Sequence, residues 1–309
     1  MTQDSVMVHK AAVSRKFDLD HSDIAPGRKL RTHFARYWSD SFDDMRAKYD
    51  EFTAATPVAA NVSFRKTSGD PAPGWWCEPS EAASDRAIFF IHGGGYGLGS
   101  AKAYRNFASQ IATLTKTNVF AFEYPLAPEA ILPKAVDQAT DAITRLSSHY
   151  SVAVVGDSAG GGLSLAASAK LANRSQTLAA VVTFSPWVDL TLSGETIRRM
   201  AIGDVLLDPE YLRQSALQYA GNKPLDDAQG SPLFEPPANM PPILIQVETD
   251  EILLDDSTRY AEAAARVGNN VELEIWEGMH HVFQLNVAEL ATARHALKRA
   301  SEFLLRHFD

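Results

Sequence analysis

Six short apolar runs recur along the chain: AIFFI (87–91), NVFAFEY (118–124), VAVVG (152–156), AAVVTFS (179–185), ILIQVE (243–248) and VELEIW (271–276). Most are apolar at successive positions rather than at alternate ones, as strands covered on both faces are. Stretches with helical spacing lie between them, at 104–117, 134–149, 159–173, 255–267 and 287–307. This alternation predicts an α/β fold: a mostly parallel central sheet flanked by helices. Two regions stand outside it. Residues 1–55 carry an amphipathic helical pattern, and in the stretch from about 190 to 225 DPEYLRQSALQYAG reads as a helix. They predict an α-helical cap, with 1–55 as its N-terminal part, 56–309 as the α/β domain, and about 190–225 contributing to the cap. The proline clusters at 71–79 and 232–242 read as loops.

Bulk numbers narrow the partners. A chain of 309 residues, 45% hydrophobic, buries a large core. With 29 basic and 38 acidic residues the net charge is −9, and no basic run interrupts it, which argues against nucleic acid and anionic membranes as partners. The single cysteine, Cys77, excludes an intrachain disulfide and thiolate-rich metal sites, and fits a reducing cytoplasm. The polar N-terminus lacks the apolar core of a signal peptide, and no segment is long and apolar enough to span a bilayer, so the expectation is a cytoplasmic protein without stable membrane association.

The chemistry is carried by Gly156-Asp157-Ser158-Ala159-Gly160, directly after the run VAVVG and directly before a helical stretch. A serine on so sharp a strand-to-helix turn adopts unfavourable backbone angles and tolerates no bulk beside it, hence the glycines. Its hydroxyl projects at the carboxyl edge of the sheet, and the Ala159 amide at the helix N-terminus faces any developing anion. By itself the pattern also suits a phosphate-binding turn. HGGGYGLG (92–99), after AIFFI, shifts the balance: its unobstructed amides can converge on one oxygen with that of Ala159, and neither phosphate-loop signature is present. His92 reads as a loop-fixing residue rather than a proton carrier. A serine nucleophile needs a base and an orienting acid. ETDEILLDD (248–256) and MHHVF (279–283) each follow a late strand, at the same sheet edge, in the chain order serine, acid, histidine of α/β-hydrolases.

With HGGGY, EYPLAPEAILPKAVDQ (123–138), GDSAGG (156–161), SPWVDL (185–190), SPL (231–233) and HVF (281–283) in this order, the chain from about residue 87 onward resembles the bacterial hormone-sensitive-lipase-like esterases, a family of α/β-hydrolase fold. The resemblance implies carboxylester hydrolysis of small-molecule, short-chain esters through an acyl-serine, without cofactor or metal, an N-terminal helical cap, and, as in many members, a homodimer. By position, Ser158 is the nucleophile and Ala159 one oxyanion donor, with Gly94 and Gly95 the others and Gly93 shaping the loop. His281, ahead of a small residue and Phe, is the base, which leaves His280 exposed or bonded to the backbone. The acid is Glu251, which fits the family spacing acid-x-Leu-x-Asp without a gap, or Asp250, which fits only with an insertion; the ungapped match favours Glu251. Asp255 and Asp256 are expected as a charge cluster at a helix N-terminus. One departure is Pro125, where the family commonly has arginine, and this puts a scaffold ion pair in doubt. The alternatives are an amidase or peptidase on the same scaffold, or a non-catalytic small-ligand receptor; plant gibberellin receptors resemble the family but lack the histidine, which is present here. Phe34, Tyr37, Trp38 and Phe42 could line a pocket, but packing of an amphipathic helix on the body is the favoured reading, and Trp75 and Trp76 read as core or sheet residues.

Overall fold

The computed structural model of the protein describes residues 11–39, 41, 43–199 and 203–308; Phe42 and the polar residues 1–10 lie outside them. Strands β1 (Val13–Phe17), β2 (Val62–Thr67), β3 (Gly74–Pro79), β4 (Ala83–Ile91), β5 (Thr117–Phe122), β6 (Ser151–Asp157), β7 (Val181–Phe184), β8 (Ile243–Glu248) and β9 (Val271–Trp276) form one sheet in the order β1-β9-β8-β7-β6-β4-β5-β3-β2. All neighbours run parallel except the antiparallel pairs that β3 makes with β2 and β5. Helices α3 (Ala101–Thr115), α4 (Lys134–Ser147), α5 (Ser158–Ala172), α7 (Leu254–Arg266) and α8 (Ala291–Phe308) cover it, and α1 (Ile24–Ser39), α2 (Met45–Thr53) and α6 (Pro209–Ala220) lie in the two regions that broke the alternation.

The doubly apolar runs are explained by the two layers they serve. Successive strand residues point to opposite faces. Phe89, Val154 and Ile245 join Leu163 and Tyr260 in one core, whereas Phe90, Val155 and Leu244 join Phe107 and Phe303 in the other. Every residue of β4 from Ala87 to Ile91 is fully buried.

Three strands differ from the sequence reading. Residues 13–17 belong to the sheet and not to a helical cap: VSRKF is mostly exposed, so it shows no apolar pattern, and it is held at the edge by stacking of Phe17 on Trp276 at 4.1 Å and by the Arg15–Glu272 ion pair. The strand β2 is half exposed in the same way. The proline-rich stretch 71–79, expected as a loop, contains β3; its prolines sit before the strand and at its last residue, where no ladder N–H is required. Trp76 is buried there against Phe120, and Trp75 lies under the Arg105 guanidinium.

Candidate active site

The turn between β6 and α5 puts Ser158 at φ 51°, a left-handed conformation that side chains rarely adopt. Close packing enforces it. A Cβ on Gly156 would meet the Gly160 carbonyl oxygen at 2.4 Å, and one on Gly160 would meet those of Ile91 and His92 at 2.2 and 2.3 Å. The Ser158 carbonyl accepts from the Trp187 amide at 2.9 Å, which pins the turn from the far side.

Three side chains from separate segments meet here. His281 Nε2 is 2.9 Å from Ser158 Oγ, and its Nδ1 is 3.3 Å from Glu251 Oε2. With Nδ1–H directed to the carboxylate, Nε2 carries the lone pair that accepts the Ser158 hydroxyl proton. Glu251 is fully buried and its Oε2 also accepts from Ser185 Oγ at 2.7 Å, while that same Ser185 oxygen accepts from the Val282 amide at 3.4 Å. Ser185 thereby links acid to histidine loop, a role the sequence reading missed although SPWVDL was singled out. Burial opposes the charged forms of both partners. In His281 the nearby Glu251 carboxylate outweighs burial, so the imidazole is shifted above its ordinary value. In Glu251 burial wins, and the carboxyl is raised despite His281 and Ser185.

Asp250 points elsewhere. Its carboxylate, about half exposed, pairs with Arg31 on α1 at 3.1 Å. The two residues after the strand end leave in different directions, and only Glu251 faces the imidazole.

The glycine loop lies over Ser158. Gly94 and Gly95, at φ 117° and 59°, line the same cavity as the serine, and the Gly94 carbonyl accepts from the Gly97 and Leu98 amides, closing a tight turn. Gly93 takes no part in that wall: its amide donates to Asp157 Oδ1 at 3.0 Å. Asp157 occupies the N-cap position of α5 but makes no side-chain cap. The first-turn amides of a helix have no intrahelical partners, so that of Ala159 stays available beside Ser158. His92 Nδ1 donates to the Gly93 carbonyl at 2.8 Å, its ring is stacked on Tyr124, and burial lowers it to about 4, as suits a neutral loop-fixing residue.

One expectation is corrected and two are refined. His280 is buried, not exposed, and its Nε2 donates to the side chain of Asn286 at 2.8 Å rather than to backbone; burial lowers it to about 4, and its ring meets Phe34 edge-on. Asp255 and Asp256 open α7 as expected, and they also bind other segments: Asp256 is fully buried and accepts from the Val188 and Asp189 amides at 2.8 and 3.0 Å, and Asp255 accepts from that of Thr196. Trp38 does more than pack a helix, since it reaches the cavity. Near Pro125, Arg46 on α2 donates to the Gly97 and Ala127 carbonyls, each at 2.9 Å, and pairs with Glu129.

The cavity at Ser158 holds about 260 Å³ and is walled by apolar side chains including Trp38, Phe52, Leu206, Leu212 and Leu285. Among the described residues no group of three His, Cys, Asp or Glu is placed to hold a metal ion, and no helix is long and apolar enough to cross a membrane.

Comparison with known proteins gives the family and the fold. The family model described as alpha/beta hydrolase fold matches residues 88–285. An esterase of Acinetobacter venetianus is 35% identical over 72% of this chain and 76% of its own length, and an acetyl-hydrolase of Streptomyces hygroscopicus is 33% identical over 74% and 78%. The crystal structure of an esterase from the bacterial hormone-sensitive lipase family superposes with a TM-score of 0.88 at 30% identity, covering 92% of this chain and 99% of that one.

Proposed function

Because the chain belongs to the hormone-sensitive-lipase-like esterases of α/β-hydrolase fold, we propose that Ser158, His281 and Glu251 act as nucleophile, base and orienting acid of its ester hydrolysis. The protein is a carboxylic ester hydrolase; its residue roles, substrate size and cap are the proposal. The observation that carries the roles is the continuous contact from Ser158 Oγ through both imidazole nitrogens to Glu251.

In the first half-reaction Nε2 of His281 removes the hydroxyl proton as Ser158 Oγ attacks the ester carbonyl. Glu251 holds the ring in the productive tautomer and stabilises it when protonated. The amides of Gly94, Gly95 and Ala159 receive the oxyanion, a contribution of roughly 3 kcal/mol per donor. His281 then protonates the departing alcohol, and in the second half-reaction it deprotonates the water that attacks the acyl-serine and returns that proton to Ser158 Oγ as the Oγ–acyl bond breaks and the acid leaves. Gly93 acts one step back, by fixing the loop.

Short acyl chains fit this reading. The cavity, about 260 Å³, lies below the range of roughly 300–1,000 Å³ that accommodates drug-sized ligands. Helices α1, α2 and α6 form the cap in this reading, which is supported by Trp38, Met45, Phe52 and Leu212 in the cavity wall; the strand at 13–17 belongs to the body. A rate profile over p-nitrophenyl esters of increasing acyl length, beside Ser158→Ala, tests roles and size together.

A further inference from the structure

Three hydrogen bonds in series connect the cap to the glycine loop. The Tyr49 hydroxyl on α2 is 2.9 Å from that of Tyr104 on α3. Tyr104 donates to Asp157 Oδ2 at 3.0 Å, and the Gly93 amide donates to Asp157 Oδ1 at 3.0 Å. Since the Tyr104 proton is directed to the carboxylate, the proton between the two tyrosines comes from Tyr49. Tyr49 and Tyr104 both line the cavity beside Ser158.

A buried carboxylate so close to the nucleophile is costly unless its bonds serve a purpose. Acyl transfer as described uses neither oxygen of Asp157. Both instead hold groups on other elements, and the fit is tight: a Cβ on Gly93 would lie 2.4 Å from Asp157 Oδ2 and 3.1 Å from Ser158 Cβ. Asp157 also forgoes the cap of α5 in favour of these partners.

We infer that Tyr49, Tyr104 and Asp157 are positioning residues forming a relay through which helix α2 holds the glycine loop in register with Ser158. The inference rests on the reading of Ser158 as nucleophile and of Gly94 and Gly95 as oxyanion donors. An acyl chain seated against Tyr49 presses on the first member of the relay, and the last member fixes the amide that precedes both donors.

The relay is sensitive to pH. Asp157 is faced by Tyr104 from α3, Tyr49 from α2, Tyr124 from the segment after β5, and His281 from the segment after β9. Burial raises its carboxyl to about 7, against the Tyr104 bond, the His281 imidazole and the Gly93 amide, which favour the carboxylate. On protonation Oδ2 must donate instead of accept, Tyr104 must turn its proton to Tyr49, and the Gly93 amide loses its anionic acceptor. The ordered state is thus present above this pKa and lost as pH falls through it.

The test is the pH dependence of kcat for p-nitrophenyl acetate hydrolysis in Tyr104→Phe, Tyr49→Phe and Asp157→Asn. Tyr104→Phe is expected to lower kcat by roughly tenfold or more, short of the full loss of an oxyanion donor, and to move the acid limb to higher pH, because the carboxylate loses a donor that favoured it. Tyr49→Phe should do the same to a smaller extent, and in Asp157→Asn the acid limb should reduce to the single ionisation of His281. Should Tyr104→Phe fail to fold, as judged by thermal unfolding, the other two variants carry the same readout. Wild-type kcat and an unmoved acid limb in the folded variants, with Ser158→Ala inactive, would overturn the relay. Turnover by Ser158→Ala would overturn the nucleophile assignment instead, so the two failures are distinguishable.

Discussion

Glu251 and Asp250 are neighbours in the chain, yet one carboxylate is sealed against His281 and the other reaches outward to Arg31. The difference predicts opposite outcomes for the two amide substitutions. Glu251→Gln keeps the shape but presents an N–H to the imidazole, favouring the wrong tautomer, and turnover should fall by roughly 10⁴-fold, as in other serine triads. Asp250→Asn removes only a partly exposed ion pair and should stay within a few-fold of wild type. Steady-state kinetics of both variants decide it, and the reverse ranking would assign the role to Asp250.

Ser158→Ala should abolish hydrolysis while leaving thermal unfolding nearly unchanged, since a single oxygen is lost from a buried site. In the wild type, kcat/KM should be highest for acyl chains of a few carbons and decline once the chain outgrows the apolar cavity. A preference for emulsified long-chain esters would contradict that assignment of substrate size.

Beside the Asp157 ionisation, the pH profile follows from His281. Its neutral form is the active base, and its pKa is raised by Glu251 against the effect of burial. Activity is therefore complete above the raised value and is lost as pH falls through it, so the acid limb of kcat/KM should sit above the ordinary histidine pKa of about 6.5. In Glu251→Gln the residual activity should show the limb displaced downward. A limb unmoved by that substitution would remove Glu251 as the cause.

How much of this was legible in the sequence depends on where the signal lay. The interior strands β4 to β8 were readable because both of their faces are largely buried and their residues say so, and β9 because VELEIW follows the same alternation with helices. By contrast β1, β2 and β3 were not, because an edge strand such as VSRKF is mostly exposed and GWWCEP is flanked by prolines. Ser158 and the glycine loop were visible as local motifs, since the strain and close approach that require glycine are themselves local. Tyr104 was not: its meeting with Asp157 joins positions 53 residues apart, and an isolated tyrosine in a helix carries no mark of it. The choice between Asp250 and Glu251 lay between these cases. Spacing suggested an answer, but which carboxylate faces the imidazole is a matter of how the chain leaves β8.

The same substitution at two glycines should have opposite signs, and the pair separates backbone entropy from steric demand. Gly27 lies inside helix α1, and a Cβ there would meet nothing within 4 Å. Gly27→Ala therefore only restricts the unfolded chain and favours the helix, and should stabilise the protein by about 0.5–1 kcal/mol. Gly160 also lies in a helix, α5, but the Cβ would enter the backbone oxygens of Ile91 and His92 at 2.2 and 2.3 Å. Backbone atoms cannot rotate away, so α5 must lift from the end of β4. Overpacking of this kind costs at least about 1–3 kcal/mol, and here the displaced parts are Ser158 and the glycine loop that must face it. Gly160→Ala should thus lose activity even where it remains folded. Urea unfolding midpoints of the two variants, read beside esterase activity, are expected to move in opposite directions; a Gly160→Ala protein with wild-type midpoint and turnover would show that the serine turn does not need the close approach on which its geometry depends.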